Sequence, residues 1–271
     1  MLTKTNTPYC QWKIIDTTDR QFTRFQVFNI LVSQITNAVN TQRTCNTADL
    51  HENVSYVPMP KLADVRLEGK TVQPTKYFEE LKKAQKELAK IHGIGTALDP
   101  RGYEAVPIAA PDQKELSHHY LWRFWNNLPK TGHITIFDRS WYGRVMVERI
   151  EKFTPEERCQ MAYREINEFE QELADSGIIV LKFWLQIDKD EQLRRFTERQ
   201  NTPAKQWKIT DEDWRNREKW DAYEKAVDEM IQKTSTTTAP WNIIEANNKM
   251  YARLKIMNII IDKLNDVIKN S

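Results

Sequence analysis

Apolar segments alternate with helical segments from residue 76 onwards, and this order constrains the fold more than any other feature of the sequence. Four segments are apolar enough to be buried strands, and each is followed by a predicted helix. The predicted strands are Tyr103–Ala109, His133–Asp138, Ile178–Ile187 and Trp241–Ala246, and the predicted helices are Lys76–His92, Gln113–Leu128, Pro155–Ser176, Asp190–Gln200, Asp211–Thr234 and Asn248–Lys269. Such alternation is typical of a parallel sheet covered on both faces. We therefore predict an α/β protein, a three-layer α/β/α sandwich with a mainly parallel sheet.

The composition narrows the class of protein. Of the 271 residues, 40% are hydrophobic, which excludes global disorder, and the net charge of +2 gives no overall field that would attract nucleic acid. The three cysteines are scattered without a Cys-x-x-Cys pair, which favours a reducing compartment, the cytoplasm, over a disulfide or zinc protein. The longest apolar run, Ile178–Ile187, is short and contains Lys182, so we expect no membrane segment.

An internal repeat relates the two ends of the chain. When the sequence is shifted by 229 positions, Trp12 falls on Trp241, and a shared Trp, an acidic turn, two basic residues and a helical apolar pattern coincide. Two unrelated amphipathic helices would explain the helical spacing but not the other matches. We therefore expect residues 1–40 to be the C-terminal strand and helix of a preceding domain copy. The polar, proline-containing residues 41–75 are then a linker, and residues 76–271 form the main domain.

A charged pair follows the strand His133–Asp138. In a parallel sheet, functional groups collect at the carboxyl ends of strands, and this strand delivers Asp138 and Arg139 to such an end. A carboxylate there can bind Mg²⁺, and a guanidinium beside it can grip phosphate oxygens. Arg144 follows closely and is the third candidate for phosphate contact. The alternative is a structural Asp–Arg pair that closes the strand.

A second cluster of positive charge follows the strand Ile178–Ile187. These basic side chains would form a helical lid that closes over a phosphate chain and excludes water. The alternative is a solvated helix face, which is what most charge runs are. The candidate lid residues are Arg194, Arg195, Arg199, Lys205 and Lys208.

Many rare, aromatic-rich motifs occur between about residue 76 and the C-terminus. They include Asp99-Pro-Arg-Gly-Tyr, His119-Tyr-Leu-Trp-Arg-Phe-Trp, Gly132-His-Ile-Thr-Ile-Phe-Asp-Arg-Ser-Trp-Tyr-Gly-Arg-Val, Leu181-Lys-Phe-Trp, Glu191-Gln-Leu-Arg-Arg-Phe, Gln206-Trp-Lys, Trp220-Asp-Ala-Tyr and Ala239-Pro-Trp. These motifs, in this order, resemble those of the polyphosphate kinase 2 family, especially its polyphosphate:AMP phosphotransferase branch.

The resemblance implies a P-loop-kinase-like fold that transfers phosphate between inorganic polyphosphate and AMP or ADP with Mg²⁺ as cofactor. Asp138 would hold the metal, and Arg139 and Arg144 would contact phosphates. Some members of the family carry two tandem copies of the domain, which agrees with the internal repeat.

One expected part of the family pattern is missing. Members follow their first helix with a strand and a glycine-rich Walker A loop, whereas here Ile91–Leu98 joins that helix directly to the Asp99 motif. About twenty-five to thirty residues are absent near residues 92–98, the length of a strand, its loop and most of a helix. Gly69-Lys70-Thr71 does not replace the loop, because Asp64 stands where a glycine is needed. We therefore expect a sheet without its first strand and weak or absent kinase activity.

Two functions remain open at this stage. The first is a polyphosphate-dependent nucleotide phosphotransferase. The second is a catalytically inactive fragment or pseudo-enzyme subunit that binds polyphosphate or an active partner. Nucleic-acid binding through the basic lid is a third, weaker interpretation, and we do not expect nucleic acid as a partner. Because an incomplete sheet exposes apolar surface, we also expect a homo-oligomer.

Overall fold

The computed structural model describes residues 5–6, 11–15, 17–40, 54–91 and 102–270. The chain divides into two structural units. The first unit comprises residues 1–46 and the second residues 47–271. The predicted deletion near residues 92–98 lies outside the described residues. Within the described ranges, the structure contains no helix with the length and apolarity needed to cross a membrane.

Helix α1 (Arg20–Asn40) is the main element of the first unit. The carboxylate of Asp19 caps it by accepting a hydrogen bond from the backbone N–H of Phe22 at 2.7 Å. At the position aligned by the repeat, the side-chain oxygen of Asn248 accepts from the backbone N–H of Tyr251 at 2.9 Å. The two aligned helices therefore begin at equivalent residues with the same type of cap. Residues 11–15 form no strand, since no partner strand exists in the described part of this unit.

The second unit alternates strands and helices as the sequence predicts, with shorter strands. Its strands are β1 (Tyr103–Pro107), β2 (Ile134–Asp138), β3 (Lys182–Gln186) and β4 (Trp241–Glu245). Its α-helices are α2 (Pro74–Ile91), α3 (Gln113–Leu116), α4 (Trp122–Trp125), α5 (Val147–Ile150), α6 (Glu156–Asp175), α7 (Lys189–Asn201), α8 (Asp211–Glu218), α9 (Trp220–Thr234) and α10 (Lys249–Asn270). Turns of 3-10 helix occupy Leu62–Asp64, Trp141–Val145 and Pro203–Lys208.

Two of the predicted helices are interrupted. The segment predicted as one helix over Gln113–Leu128 forms α3 and α4, because the Ser117 hydroxyl and the His118 ring both bond the carbonyl of Lys114, each at 2.7 Å. Side chains that hydrogen-bond to a helix carbonyl compete with the backbone N–H that would continue the helix, and so they favour its end. The segment predicted over Asp211–Thr234 forms α8 and α9, with a break at Lys219.

The strands form two parallel sheets of two strands each, and not the single sheet that the sequence predicts. Strand β1 pairs with β2 in a register that opposes Tyr103 to Ile134, and β3 pairs with β4 with Lys182 opposite Trp241. No ladder joins β2 to β3 in the described part of the chain. Because paired strands lie about 4.8 Å apart, a sheet that lacks one central strand would divide in this way.

An aromatic core lies between the two sheets and the helices. The Trp141 ring makes edge-to-face contacts with Phe124, Phe137 and Phe169, with ring centroids 5.0–5.7 Å apart. Trp184 of β3 packs against the same cluster. The residues that follow β2 therefore connect the two sheets through side-chain packing, where backbone pairing does not.

A separate apolar cluster joins the C-terminal helix α10 to α2. Buried Ala84 and Leu88 of α2 pack with Ile261 of α10, and Leu264 adjoins them. The other face of α10 packs on β3 and β4 through residues that include Ala252. Helix α10 is thus covered on two sides.

Residues 54–73, within the predicted linker, belong to the second unit and pack on its other elements. Leu62 is buried in the main core, and its backbone N–H donates to the carboxylate of Asp228 in α9 at 2.8 Å. Tyr56 forms an isolated antiparallel bridge with Thr236. This part of the predicted linker is therefore held against the rest of the second unit by packing and hydrogen bonds.

Candidate functional site

The end of β2 places Asp138 and Arg139 at the carboxyl edge of the β1–β2 sheet. The backbone N–H of Ile108 donates to the carbonyl of Asp138 at 3.0 Å, which fixes the strand end. Arg139 has φ of 67°, a left-handed conformation that a non-glycine residue adopts only under constraint. Neither side chain forms a hydrogen bond or ion pair with any described residue. Both side chains are exposed at this edge of the sheet.

Arg144 lies in the 3-10 helix after this strand end and is engaged by protein groups. Its guanidinium forms an ion pair with Glu148 at 2.7 Å, donates to the Thr154 hydroxyl, and stacks over the ring of Tyr120 at 4.4 Å from the centroid. Burial raises the pKa of Tyr120, and the negative charge of Glu165 raises it further, so the hydroxyl stays protonated. These contacts give Arg144 a fixed position, but they also occupy donors that phosphate contact would need.

A buried polar network lies behind the strand end. The hydroxyl of Tyr142 and the indole N–H of Trp141 both donate to Glu170 Oε1, at 2.7 and 3.0 Å. Lys182 donates to Glu170 Oε2 at 2.7 Å and to the carbonyl of Thr234 at 2.6 Å. Burial raises the pKa of Glu170 and lowers that of Lys182. The network ties the segment after β2 to β3 and has the character of a structural support.

Two of the three candidate lid residues on α7, Arg194 and Arg195, are held by the carboxylate of Glu191. Glu191 accepts from Arg194 Nε and Nη2, both at 2.7 Å, and from Arg195 Nε at 2.6 Å. Its bonds with Arg194, and then with Arg195, lower the pKa of Glu191 to about 2. Arg195 also donates to the backbone carbonyls of Ala246 and Asn247, at 2.6 and 3.1 Å. Arg195 thus anchors α7 to the carboxyl end of β4.

A pocket of about 150 Å³ opens beside α7. Its lining is rich in positive charge and consists of Arg195, Glu198, Arg199, Lys205 and Lys249. The Lys205 ammonium lies 2.7 Å from the Glu198 carboxylate. This hydrogen bond is the main reason that the pKa of Glu198 is lowered. Lys249, in the first turn of α10, was not among the residues predicted from the sequence. Its position directly after a strand end is the signal that could have found it.

The structure brings together three of the predicted lid residues, which are Arg195, Arg199 and Lys205. Arg194 lines a different, shallower groove on α7 with Asp190 and Leu193. Asp138, Arg139 and Arg144 do not line the pocket, and the side chain of Lys208 lies outside the described part of the chain. No cluster of three or more acidic, histidine or cysteine residues suited to a metal occurs among the described residues.

Comparison with known proteins places these features in a family. A model of the family Polyphosphate kinase 2 matches residues 71–271. The polyphosphate:AMP phosphotransferase of Pseudomonas aeruginosa PAO1 is 40% identical over 297 residues, which cover 99% of this chain and 60% of the relative. The polyphosphate:AMP phosphotransferase of Pseudomonas syringae pv. tomato is 54% identical over 174 residues, which cover 64% of this chain and 35% of the relative.

A solved structure shares the fold. The crystal structure of a polyphosphate kinase 2 from Pseudomonas aeruginosa PA01 matches with a TM-score of 0.84 at 39% identity, covering 99% of this chain and 61% of that one. The chain therefore spans less than two thirds of the length of the relatives named here. The family match covers more than half of the chain and confirms the resemblance seen in its motifs. This chain belongs to the polyphosphate kinase 2 family.

Proposed function

We propose that this chain is a polyphosphate-dependent nucleotide phosphotransferase that transfers phosphate between inorganic polyphosphate and AMP or ADP. Two relatives at 40% and 54% identity are named polyphosphate:AMP phosphotransferases. The observation that carries the proposal is the strand end at Asp138 and Arg139. A carboxylate and a guanidinium with no partner among the described residues are adjacent there in the sequence, on a constrained backbone at the carboxyl edge of a parallel sheet.

The reaction exchanges one phosphorus–oxygen bond for another. An oxygen of the AMP phosphate attacks the terminal phosphorus of polyphosphate, and the bond to the bridging oxygen breaks, so ADP forms and the polyphosphate is one phosphate shorter. Negative charge spreads over the transferred group, and catalysis depends on positioning and on cationic groups around it. Arg139 and Arg144 would contact these oxygens, and the lid residues Arg194, Arg195, Arg199, Lys205 and Lys208 would close over the phosphate chain.

Phosphotransferases of this family generally need a divalent metal ion, and we propose Mg²⁺. Mg²⁺ is usually bound by one or two carboxylates, with water and substrate phosphates completing its shell. The exposed Asp138 carboxylate, which has no described protein partner, fits that role. When bound, the ion would neutralise charge on the phosphate oxygens. The protein's part is to hold that carboxylate in place, which the Ile108 hydrogen bond to the Asp138 backbone supports.

The domain organisation is part of the proposal. We propose that residues 1–40 are the strand and helix of a preceding domain copy, which the matching caps of α1 and α10 support. We also propose that residues 76–271 are the family domain with a deletion near residues 92–98. The alignment with the P. aeruginosa relative supports a deletion, since it spans 297 positions against a chain of 271 residues.

One observation favours a second function, a catalytically inactive subunit that binds polyphosphate or an active partner. The sheet divides between β2 and β3, where a central strand would lie. A glycine-rich loop after such a strand would cradle phosphates with its backbone N–H groups. Without that loop, much of the electrostatic stabilisation of phosphoryl transfer is absent, so we expect slow turnover at best.

A turnover assay separates the two functions. The purified chain is incubated with polyphosphate, AMP and Mg²⁺, and ADP is measured beside an Asp138→Asn variant. The phosphotransferase proposal expects slow ADP formation that the variant abolishes, because the amide cannot replace the carboxylate on the metal. ADP formation that is unchanged in the variant would contradict the site assignment. Absence of ADP with both proteins would favour the inactive subunit.

A further inference from the structure

The pocket beside α7 holds more positive charge than its own acidic residue neutralises. Its four cationic side chains face a single carboxylate, Glu198. Two of the cations are already engaged, since Arg195 bonds Glu191 and two backbone carbonyls, and Lys205 pairs with Glu198. Arg199 and Lys249 form no hydrogen bond or ion pair with any described residue. Among the described residues, the pocket therefore has two cations without an acidic partner.

Lys249 is the cation most affected by this crowding. It lies in the first turn of α10, where unpaired backbone N–H groups add positive potential. Burial first, and then the charges of Arg195, Arg199 and Lys205, lower the pKa of Lys249, while Glu198 opposes them. An anion in the pocket would relieve this repulsion.

We infer that the pocket is an oligophosphate subsite in which Lys249 and Arg199 bind phosphate oxygens and Glu198 competes with the phosphate for Lys205. The inference rests on the proposed function, because it takes a phosphate chain as the ligand. It adds to that function a binding residue from α10 and an internal carboxylate that occupies Lys205 when no phosphate is present.

The subsite shares no lining residue with the strand end at Asp138. The residues that line it come from α7, from the 3-10 helix Pro203–Lys208 and from α10. Arg195 fixes α7 against the carbonyls that follow β4, so part of the subsite is held in place before a ligand arrives. Oligophosphate binding should therefore persist in this chain even if phosphoryl transfer does not occur.

The test is titration calorimetry of the full chain with inorganic tripolyphosphate, without nucleotide, at fixed ionic strength. The variants are Lys249→Met, Lys249→Arg and Glu198→Gln. Lys263→Met is the matched control, since it removes the same charge from an exposed position farther along α10. Circular dichroism of each variant checks that it is folded.

We expect Lys249→Met to weaken tripolyphosphate binding about tenfold, the effect of losing one charge-assisted contact. Lys249→Arg should bind within about threefold of the unmodified chain, since it keeps a cationic donor at the same position. Glu198→Gln should bind more tightly, because the competing carboxylate is gone. Lys263→Met should bind as the unmodified chain does.

Three outcomes would overturn the inference. These are no tripolyphosphate binding by the unmodified chain, equal weakening by Lys249→Met and Lys263→Met, and no tightening by Glu198→Gln. If Lys249→Met fails to fold, the inference is judged by whether Glu198→Gln binds tripolyphosphate more tightly or more weakly than the unmodified chain. Binding without turnover in the assay of AMP and polyphosphate would contradict the proposed activity and leave the subsite standing.

Discussion

The ammonium group of Lys182 lies 2.7 Å from a carboxylate oxygen of Glu170, and the two side chains are only 3% and 1% exposed. The Lys182 ammonium also donates a hydrogen bond to the hydroxyl oxygen of Tyr142 at 2.9 Å and lies over the rings of Tyr142 and Trp241. The pair thus joins β3, α6 and the segment after β2. Because no ladder joins β2 to β3 among the described residues, this ion pair provides part of the connection between the two sheets.

Breaking this pair should destabilise the protein strongly. We expect Glu170→Gln to lower the free energy of unfolding by about 3 kcal/mol, because the variant leaves the Lys182 charge buried without a counter-ion. Urea unfolding followed by tryptophan fluorescence measures the change. Glu80→Gln is the control, since it breaks the exposed pair with Lys83 and should have little effect. Equal effects of the two substitutions would contradict the role given to Glu170.

Because the backbone at Arg139 is constrained, replacing this residue with glycine should affect stability and turnover in different ways. Glycine adopts a φ of 67° without strain, so Arg139→Gly should keep or raise the free energy of unfolding, by up to about 1 kcal/mol, while turnover falls with the lost guanidinium. Lys152→Gly is the matched control, because Lys152 has φ of 58° and is not a candidate site residue. It should change stability in the same direction and leave turnover unchanged. Loss of turnover in both variants would refute a phosphate role for Arg139.

The carboxylate of Glu191, which pairs with Arg194 and Arg195 of α7, should make stability depend on pH in acid. The folded-state pKa of Glu191, about 2, lies below the ordinary 4.5. The contribution of Glu191 is therefore present above pH 4.5 and is lost as the pH falls towards 2. We expect the difference in unfolding free energy between the unmodified chain and Glu191→Gln to shrink over this interval. Urea titrations at several pH values measure it, and a difference that does not change with pH would count against the prediction.

The exposed apolar stripe of α1 predicts self-association. Phe25, Phe28, Val32, Ile35 and Val39 recur at alternating spacings of three and four, and each is at least 61% exposed. Such a seam is typical of helices that pair. We expect Val32→Asp to shift sedimentation profiles towards the monomer, whereas Gln34→Asp, on another face of the helix, should not. A monomeric unmodified chain at all concentrations would exclude this prediction.

Local patterns in the sequence predicted the position of each strand in the second unit, although the structure trims their ends. The strand predicted over Ile178–Ile187, for example, narrows to β3, because pairing with β4 extends only from Lys182 to Gln186. The helix within residues 1–40 was also predicted from local spacing, whereas its start at Arg20 and its cap at Asp19 were seen only in the structure. The family was evident for a related reason, since its motifs are continuous in sequence.

Contacts between distant residues could not be predicted in this way. Lys182 interrupts an apolar run in the sequence and says nothing about Glu170, which is its partner only because α6 packs beside β3. Lys249 joins Arg199 in one pocket only because α10 begins where α7 passes the end of β4.

The sequence by itself determined the order of strands and helices, the charged strand end at Asp138 and the family to which the chain belongs, because side-chain periodicity and motif spacing are properties of neighbouring residues. Only the tertiary structure decided that the sheet divides between β2 and β3, that Arg144 pairs with Glu148, and that three of the five candidate lid residues share a pocket. Those outcomes depend on which elements come together in space, and hydrogen bonding and charge pairing act over a few ångströms whatever the separation along the chain.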